Sequence, residues 1–146
     1  MIPVALPEPA YTIVVTSTQR LEWDRIYRMA EMALDPEKLY HWLVKQPARQ
    51  IVGKPSSAMR CLLATYLLAE TGQLWCVSQE LFWRFDLVRE LAWRLPTWAA
   101  SLERAELRMG AVFTATEGLG LVRRHLPRMP HALSESDPWR DEGRGA

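Results

Sequence analysis

The chain has 146 residues, of which 49% are hydrophobic and 24% charged, and these are the proportions of an ordinary globular protein. Eighteen basic and 17 acidic residues leave a formal charge of +1, so the molecule as a whole has no field that attracts nucleic acid or anionic lipid. A chain of this length buries about two thirds of its unfolded surface as one domain, without metal or disulfide support. The two cysteines, Cys61 and Cys76, are too few for a disulfide framework. We also predict no cofactor.

The first ten residues hold three prolines and no basic segment ahead of an apolar one, which argues against a secretory signal. We therefore expect a cytoplasmic protein with reduced cysteines. Residues 11–16, Tyr-Thr-Ile-Val-Val-Thr, are rich in β-branched and aromatic side chains and predict a short strand. A helix is predicted from about residue 21 to residue 34. Asp35 and Pro36 then open a second, shorter helix that ends before Pro47.

The stretch 57–71 predicts the helix around which the domain is built. No residue from Cys61 to Ala69 is charged, and a helix that is apolar on nearly every side is normally buried. Ser57 or its neighbour can cap the start, and Gly72 stands where a left-handed C-terminal cap is expected. The apolar run is far shorter than the ~20 residues that span a bilayer, so we expect no membrane partner.

The connection into this helix, residues 47–56, contains two prolines and a glycine and is predicted to lack regular helix. Residues 74–77, Leu-Trp-Cys-Val, predict a second strand that would pair with the strand at 11–16. The segment 80–95 is ambiguous, because its apolar residues follow a helical repeat while its first half also alternates as a strand does. We interpret it as a helix.

Two further helices complete the prediction. Pro96 suits the first turn of a helix over 97–109 that ends at Gly110, and this helix would form an αα-hairpin with the preceding one. Thr114 and Glu117 match a capping box that opens a last helix.

The predicted fold class is therefore mostly α with a minor β element (α+β). We expect a single small domain over residues 1–126, built around the buried central helix at 57–71, with short strands near 11–16 and 74–77. Residues 127–146 have little to bury and are predicted to form a mobile tail.

Several short motifs follow one another in the second half of the chain. They are a glycine, Cys-Leu-Leu-Ala-x-Tyr-Leu, a valine, Leu-Pro-x-Trp and Thr-Ala-x-Glu, at Gly53, Cys61 to Leu67, Val77, Leu95 to Trp98 and Thr114 to Glu117. In this order they resemble a pattern found in small uncharacterised bacterial and phage proteins. In those proteins a proline tends to follow the cysteine, whereas this chain has Leu62 there. The resemblance implies no activity.

Cys61 is the candidate nucleophile. A thiol at a helix N-terminus beside a cation such as Arg60 is acidified, but a helix starting at Ser57 would place Cys61 a full turn inside, where free cysteine acts as a small hydrophobe. No histidine nearby completes a catalytic dyad, and the cysteines and histidines lack the spacing of a metal site. The carboxylates of the predicted helices, including Glu103 and Glu106, are expected to face water. We therefore predict no catalytic residue and no metal ligand.

Nucleic-acid binding is one alternative function. Two arginine-bearing helices joined near Pro96 would resemble a helix-turn-helix in outline, and Arg123, Arg124 and Arg128 form a basic cluster. Acidic residues are interleaved with the arginines of the helical pair, which weakens the field that a phosphate would feel.

The function that we predict is a non-catalytic protein-interaction or regulatory module, acting on a protein partner or by self-association. The chain has seven tryptophans, more than one small core needs, and no catalytic constellation. If 80–95 is a helix, Trp83 and Trp93 lie off its apolar stripe and within about 80° of each other, so they are the predicted interaction residues. An enzyme with Cys61 as nucleophile is the remaining alternative.

Overall fold

A computed structural model describes residues 17–85 and 92–126. They form a mostly helical α+β domain, as predicted, while the strand expected at 11–16 and the tail expected at 127–146 lie outside the described residues. No helix in the two described ranges is long and apolar enough to cross a membrane. The helices are α1 (Ser17–Ala33), α2 (Pro36–Lys45), α3 (Leu62–Thr71), α4 (Thr97–Leu107) and α5 (Ala115–His125), and the strands are β1 (Ile51–Gly53), β2 (Trp75–Val77), β3 (Leu81–Arg84), β4 (Trp93–Arg94) and β5 (Phe113–Thr114).

Helix α3 lies in the core, so the central-helix prediction is confirmed. Leu62, Leu63 and Leu67 have no exposed surface, whereas Leu68 on the opposite side is 42% exposed. The Tyr66 hydroxyl donates a hydrogen bond to the Ala33 carbonyl, which ties α3 to the end of α1. The helix is therefore buried on one broad face and open to water along a narrow strip.

The two ends of α3 differ from each other in how well they could be predicted. Gly72 closes the helix with a left-handed φ of 72° and donates its N–H to the Leu68 carbonyl, as expected. The start at Ser57 is wrong, because the helix begins at Leu62 with Cys61 as its N-cap. Residues 57–60 form an irregular turn instead, in which the N–H of Cys61 donates to the Ser57 carbonyl at 2.9 Å.

Local capping signals set the starts of α2 and α5 as predicted. Asp35 accepts a hydrogen bond from the N–H of Glu37, with Pro36 at the first helical position. Thr114 and Glu117 form both bonds of the capping box, with N–H to side-chain oxygen distances of 3.3 and 3.0 Å. These short-range pairs need no tertiary contact, and for that reason they can be predicted from the sequence.

The helix predicted over 80–95 is wrong, and so is the αα-hairpin with α4. Strand β3 pairs antiparallel with β2 on one side and with β4 on the other, in a three-stranded sheet of order β2-β3-β4. The turn between β2 and β3 is closed by the N–H of Ser78, which donates to the Leu81 carbonyl at 2.8 Å. Burial of Phe82 against the core, together with hydrogen bonding on both sides of β3, favours the alternating pattern over the helical repeat.

A second, two-stranded sheet joins β1 to β5. The connection 47–56 contains no helix, as predicted, but its strand β1 was not predicted. Gly53 pairs with Phe113, whose ring lies directly against the glycine, so that a Cβ at this position would overlap the ring. A glycine is therefore needed at position 53 for the Phe113 ring to lie this close to the backbone.

Candidate functional site

A thiol and two carboxyl groups meet at the N-terminus of α3. Cys61 is the N-cap of that helix, and Glu103 and Glu106 lie one turn apart on α4. One ligand-forming atom from each of the three side chains lies within 4.8 Å of the other two. The three residues are 2%, 6% and 1% exposed, respectively. The expectation that these glutamates face water is therefore wrong.

The two glutamates occupy positions of a core-facing stripe. Helix α4 buries Ala99, Leu102, Glu103 and Glu106, which is the i, i+3, i+4, i+7 pattern of an amphipathic helix. Sequence reasoning followed the apolar residues alone and so missed both carboxylates. The available signal was the continuation of the Ala99 and Leu102 stripe through two acidic residues.

Glu106 takes the role that a capping side chain usually has. The N–H of Leu62 donates to both carboxylate oxygens, each at 3.1 Å. The Cys61 side chain makes no capping bond. A carboxylate here satisfies one of the unpaired N–H groups of the first turn of α3 and also lies at the positive end of the helix dipole.

Burial sets the electrostatics of the cluster. It raises the pKa of Glu106 to about 8, with a further rise from the charge of Glu103, and the Leu62 N–H only partly opposes this. Burial likewise raises the pKa of Glu103 to about 7, although a hydrogen bond from the Cys61 thiol acts in the other direction. Oε1 of Glu103 is buried and has no hydrogen-bond partner in the described structure. The cluster therefore holds protons that an exposed glutamate would have lost.

The same surroundings disfavour Cys61 as a nucleophile. Cys61 does lie at the N-terminus of α3, not a turn inside the helix as expected, but its thiol is almost completely buried. Burial, followed by the nearby charges of Glu103 and Glu106, raises the pKa of this thiol above its ordinary value. Nucleophilic cysteines need the opposite shift, so the enzyme alternative gains no support from the site.

The three-stranded sheet separates the two predicted interaction residues. Trp93 pairs with Phe82 and lies on the inner face, with its ring centre 4.6 Å from that of Tyr27 and 6.2 Å from that of Phe82. Trp83 follows Phe82 directly, so its side chain projects from the other face. The shared face expected from a helix does not exist, and only Trp83 is on the outer side.

Four large apolar side chains share this outer face with the buried Cys76, which pairs with Trp83. Leu74 and Phe85 lie opposite each other, joined by a hydrogen bond from the Phe85 N–H to the Leu74 carbonyl, and are 42% and 54% exposed. Leu81 and Trp83 continue the row along β3 and are half-buried. We call Leu74, Leu81, Trp83 and Phe85 the outer patch. The exposed Arg94 pairs with Leu81 at one end of it.

The predicted basic cluster belongs to the end of α5 and to the residues that follow it. Arg123 and the exposed Arg124 are in the last turn of α5, and Arg128 lies outside the described residues. Within the described residues, β3 and β4 stand in place of the first of the two helices that suggested a helix-turn-helix. Basic side chains at the end of a helix also stabilise its dipole, and nucleic-acid binding stays a prediction.

Comparisons with protein-family models, with curated proteins and with solved structures found no match. The resemblance to small bacterial and phage proteins therefore stays a prediction, and the function proposed below is argued from the geometry of this chain.

Proposed function

We propose that the protein is a non-catalytic interaction module that self-associates through the outer patch. The observation that supports this is the placement of four large apolar side chains on the face of the sheet opposite the core, with Leu74 and Phe85 each more than two fifths exposed. Contiguous apolar surface of this kind marks interaction sites in soluble proteins. Aromatic residues such as Trp83 and Phe85 are also enriched where binding energy is concentrated.

A second copy of the chain suits the layout of the patch. Trp83 pairs with Cys76 at the middle of the β2–β3 ladder, between Phe85 at one end and Leu81 with Arg94 at the other. A two-fold axis near Trp83 would bring Phe85 of each copy over Arg94 of the other, which is a favourable contact between an aromatic face and a cation. The formal charge of +1 opposes such pairing only weakly.

The experiment compares two identical substitutions on opposite faces of the sheet. Sedimentation velocity from micromolar to hundreds of micromolar protein should show a dimer for the wild type. Trp83→Gln should shift the chain to monomer with its Tm retained. Trp93→Gln, which faces the core, should instead lower the Tm and leave association intact at temperatures where the protein is folded.

A second variant protects the test against misfolding of Trp83→Gln. Phe85 is 54% exposed, so Phe85→Arg should fold normally while placing a cation against Arg94 of the other copy. Monomeric wild type throughout the concentration range, or an unchanged dimer constant in both outer-patch variants, would show that the patch is not a self-association surface.

A further inference from the structure

We propose that Cys61, Glu103 and Glu106 form a binding site for a divalent transition-metal ion, with Zn²⁺ the best match to the ligand set. The site rests on the convergence of a cysteine sulfur and two carboxylates within 4.8 Å of one another in the interior. It is independent of the outer patch, which involves none of these residues.

The ligand types suit zinc. Zn²⁺ accepts cysteine sulfur and glutamate oxygen together, whereas Mg²⁺ and Ca²⁺ select oxygen ligands alone. Bond lengths of about 2.3 Å to sulfur and 2.0–2.2 Å to oxygen place tetrahedral ligands ~3.5 Å from one another. The atoms of the cluster lie within 4.8 Å of one another, so binding requires them to approach by at most about an ångström, a distance that χ rotations of the glutamates can cover.

Glu103 provides an independent sign of a missing ligand. Its Oε1 is buried without a hydrogen-bond partner in the described structure, and the residue as a whole is only 6% exposed. Buried polar oxygens nearly always have a partner, and this one is available to a ligand. A metal ion in the cluster would provide the partner, and its charge would favour the ionised form of both carboxyl groups, which burial opposes.

Glu106 remains able to bind a metal while it caps α3. Its two oxygens share the single N–H of Leu62 at 3.1 Å each, so each keeps a lone pair for coordination. The N–H would then hold the carboxylate in orientation, as hydrogen bonds outside the coordination sphere commonly do for metal ligands.

An exposed turn precedes the site in the chain. Ala58, Met59 and Arg60 are exposed and come directly before the buried Cys61. The N–H groups of Lys54 and Val77 donate hydrogen bonds to this turn, so an ion that enters through it has to break them. A water molecule entering with the ion would complete a four-coordinate sphere.

Binding exchanges protons for the metal and involves no redox change. The Cys61 thiol loses its proton as the sulfur–zinc bond forms, and any proton on Glu103 or Glu106 also leaves to solvent, while zinc remains divalent.

The test uses chelator-treated full-length protein and Zn²⁺ alone. Calorimetric titration should give one ion per chain, and a hundredfold excess over the Kd should raise the Tm by roughly 5–10 °C. Co²⁺ serves as a spectroscopic probe, because a cobalt–thiolate bond produces a charge-transfer band in the near ultraviolet.

Matched substitutions locate the ion. Glu103→Gln preserves the shape of the side chain and should leave the metal-free protein folded while weakening zinc binding at least tenfold, and Cys61→Ser should abolish the cobalt–thiolate band. Cys76→Ser and Glu70→Gln, outside the cluster, should preserve both signals. Absence of Zn²⁺ binding by the wild type, or binding unchanged in both cluster variants, would overturn the proposal.

Discussion

Replacement of Glu103 by glutamine should stabilise the protein at alkaline pH and have little effect at acidic pH. Glutamine has nearly the same shape but cannot ionise, so it resembles the protonated carboxyl group that burial favours. Burial raises the pKa of Glu103 from 4.5 to about 7. The folded protein therefore binds this proton more tightly than the unfolded chain does. The resulting stabilisation is complete below pH 4.5 and is lost as the pH rises through about 7.

The expected size follows from the same values. At 1.36 kcal/mol per pH unit, the rise from 4.5 to about 7 corresponds to roughly 3 kcal/mol of stability lost by the wild type at pH 8. This is a large part of the ~5–15 kcal/mol that holds a domain together. Glu103→Gln avoids this loss of stability. It also removes a charge that raises the pKa of Glu106, so both changes make the variant more stable than the wild type at pH 8. The variant should melt up to roughly 10 °C above the wild type at pH 8.

Urea denaturation at pH 5 and pH 8, with chelator and reductant present, measures this difference. The two proteins should have similar free energies of unfolding at pH 5 and diverge at pH 8 in favour of the variant. Glu70→Gln, an exposed position on α3, is the matched control and should behave like the wild type at both values. A variant-to-wild-type difference that is independent of pH, or a variant that is less stable at pH 8, would refute the assigned burial of Glu103.

Two further predictions test the core. Leu67→Asp should abolish soluble expression, because an unpaired charge in a fully buried position costs several kcal/mol. Leu68→Asp, at the neighbouring position that is 42% exposed, should fold. Equal solubility of the two variants would contradict the orientation of α3. Gly53→Ala should lower the unfolding free energy by about 1–3 kcal/mol because the new methyl group overlaps the Phe113 ring. Phe113→Leu in the same chain should recover part of that loss, and its failure to do so would show that the ring is not the cause.

The amino-acid sequence alone determined those features that depend on neighbours a few residues away. The Asp35-Pro36 start of α2 and the capping box of Thr114 and Glu117 are closed by local hydrogen bonds, so their residue types are sufficient to predict them. The left-handed stop at Gly72 is equally local. The burial of α3 was also predictable, because a run without charge has no side to present to water.

The other features depend on long-range contacts, because the local sequence is compatible with more than one structure. Segment 80–95 fits both a helical and a strand pattern, and only the hydrogen bonds supplied by β2 and β4 select the strand that separates Trp83 from Trp93. The N–H of Leu62, the first residue of α3, donates to Glu106, which is 44 residues away, and no local pattern signals such a distant cap. The proximity of Cys61 to both glutamates depends in the same way on the packing of α4 against the N-terminus of α3, which brings together ionisable groups that lie more than 40 residues apart in the sequence.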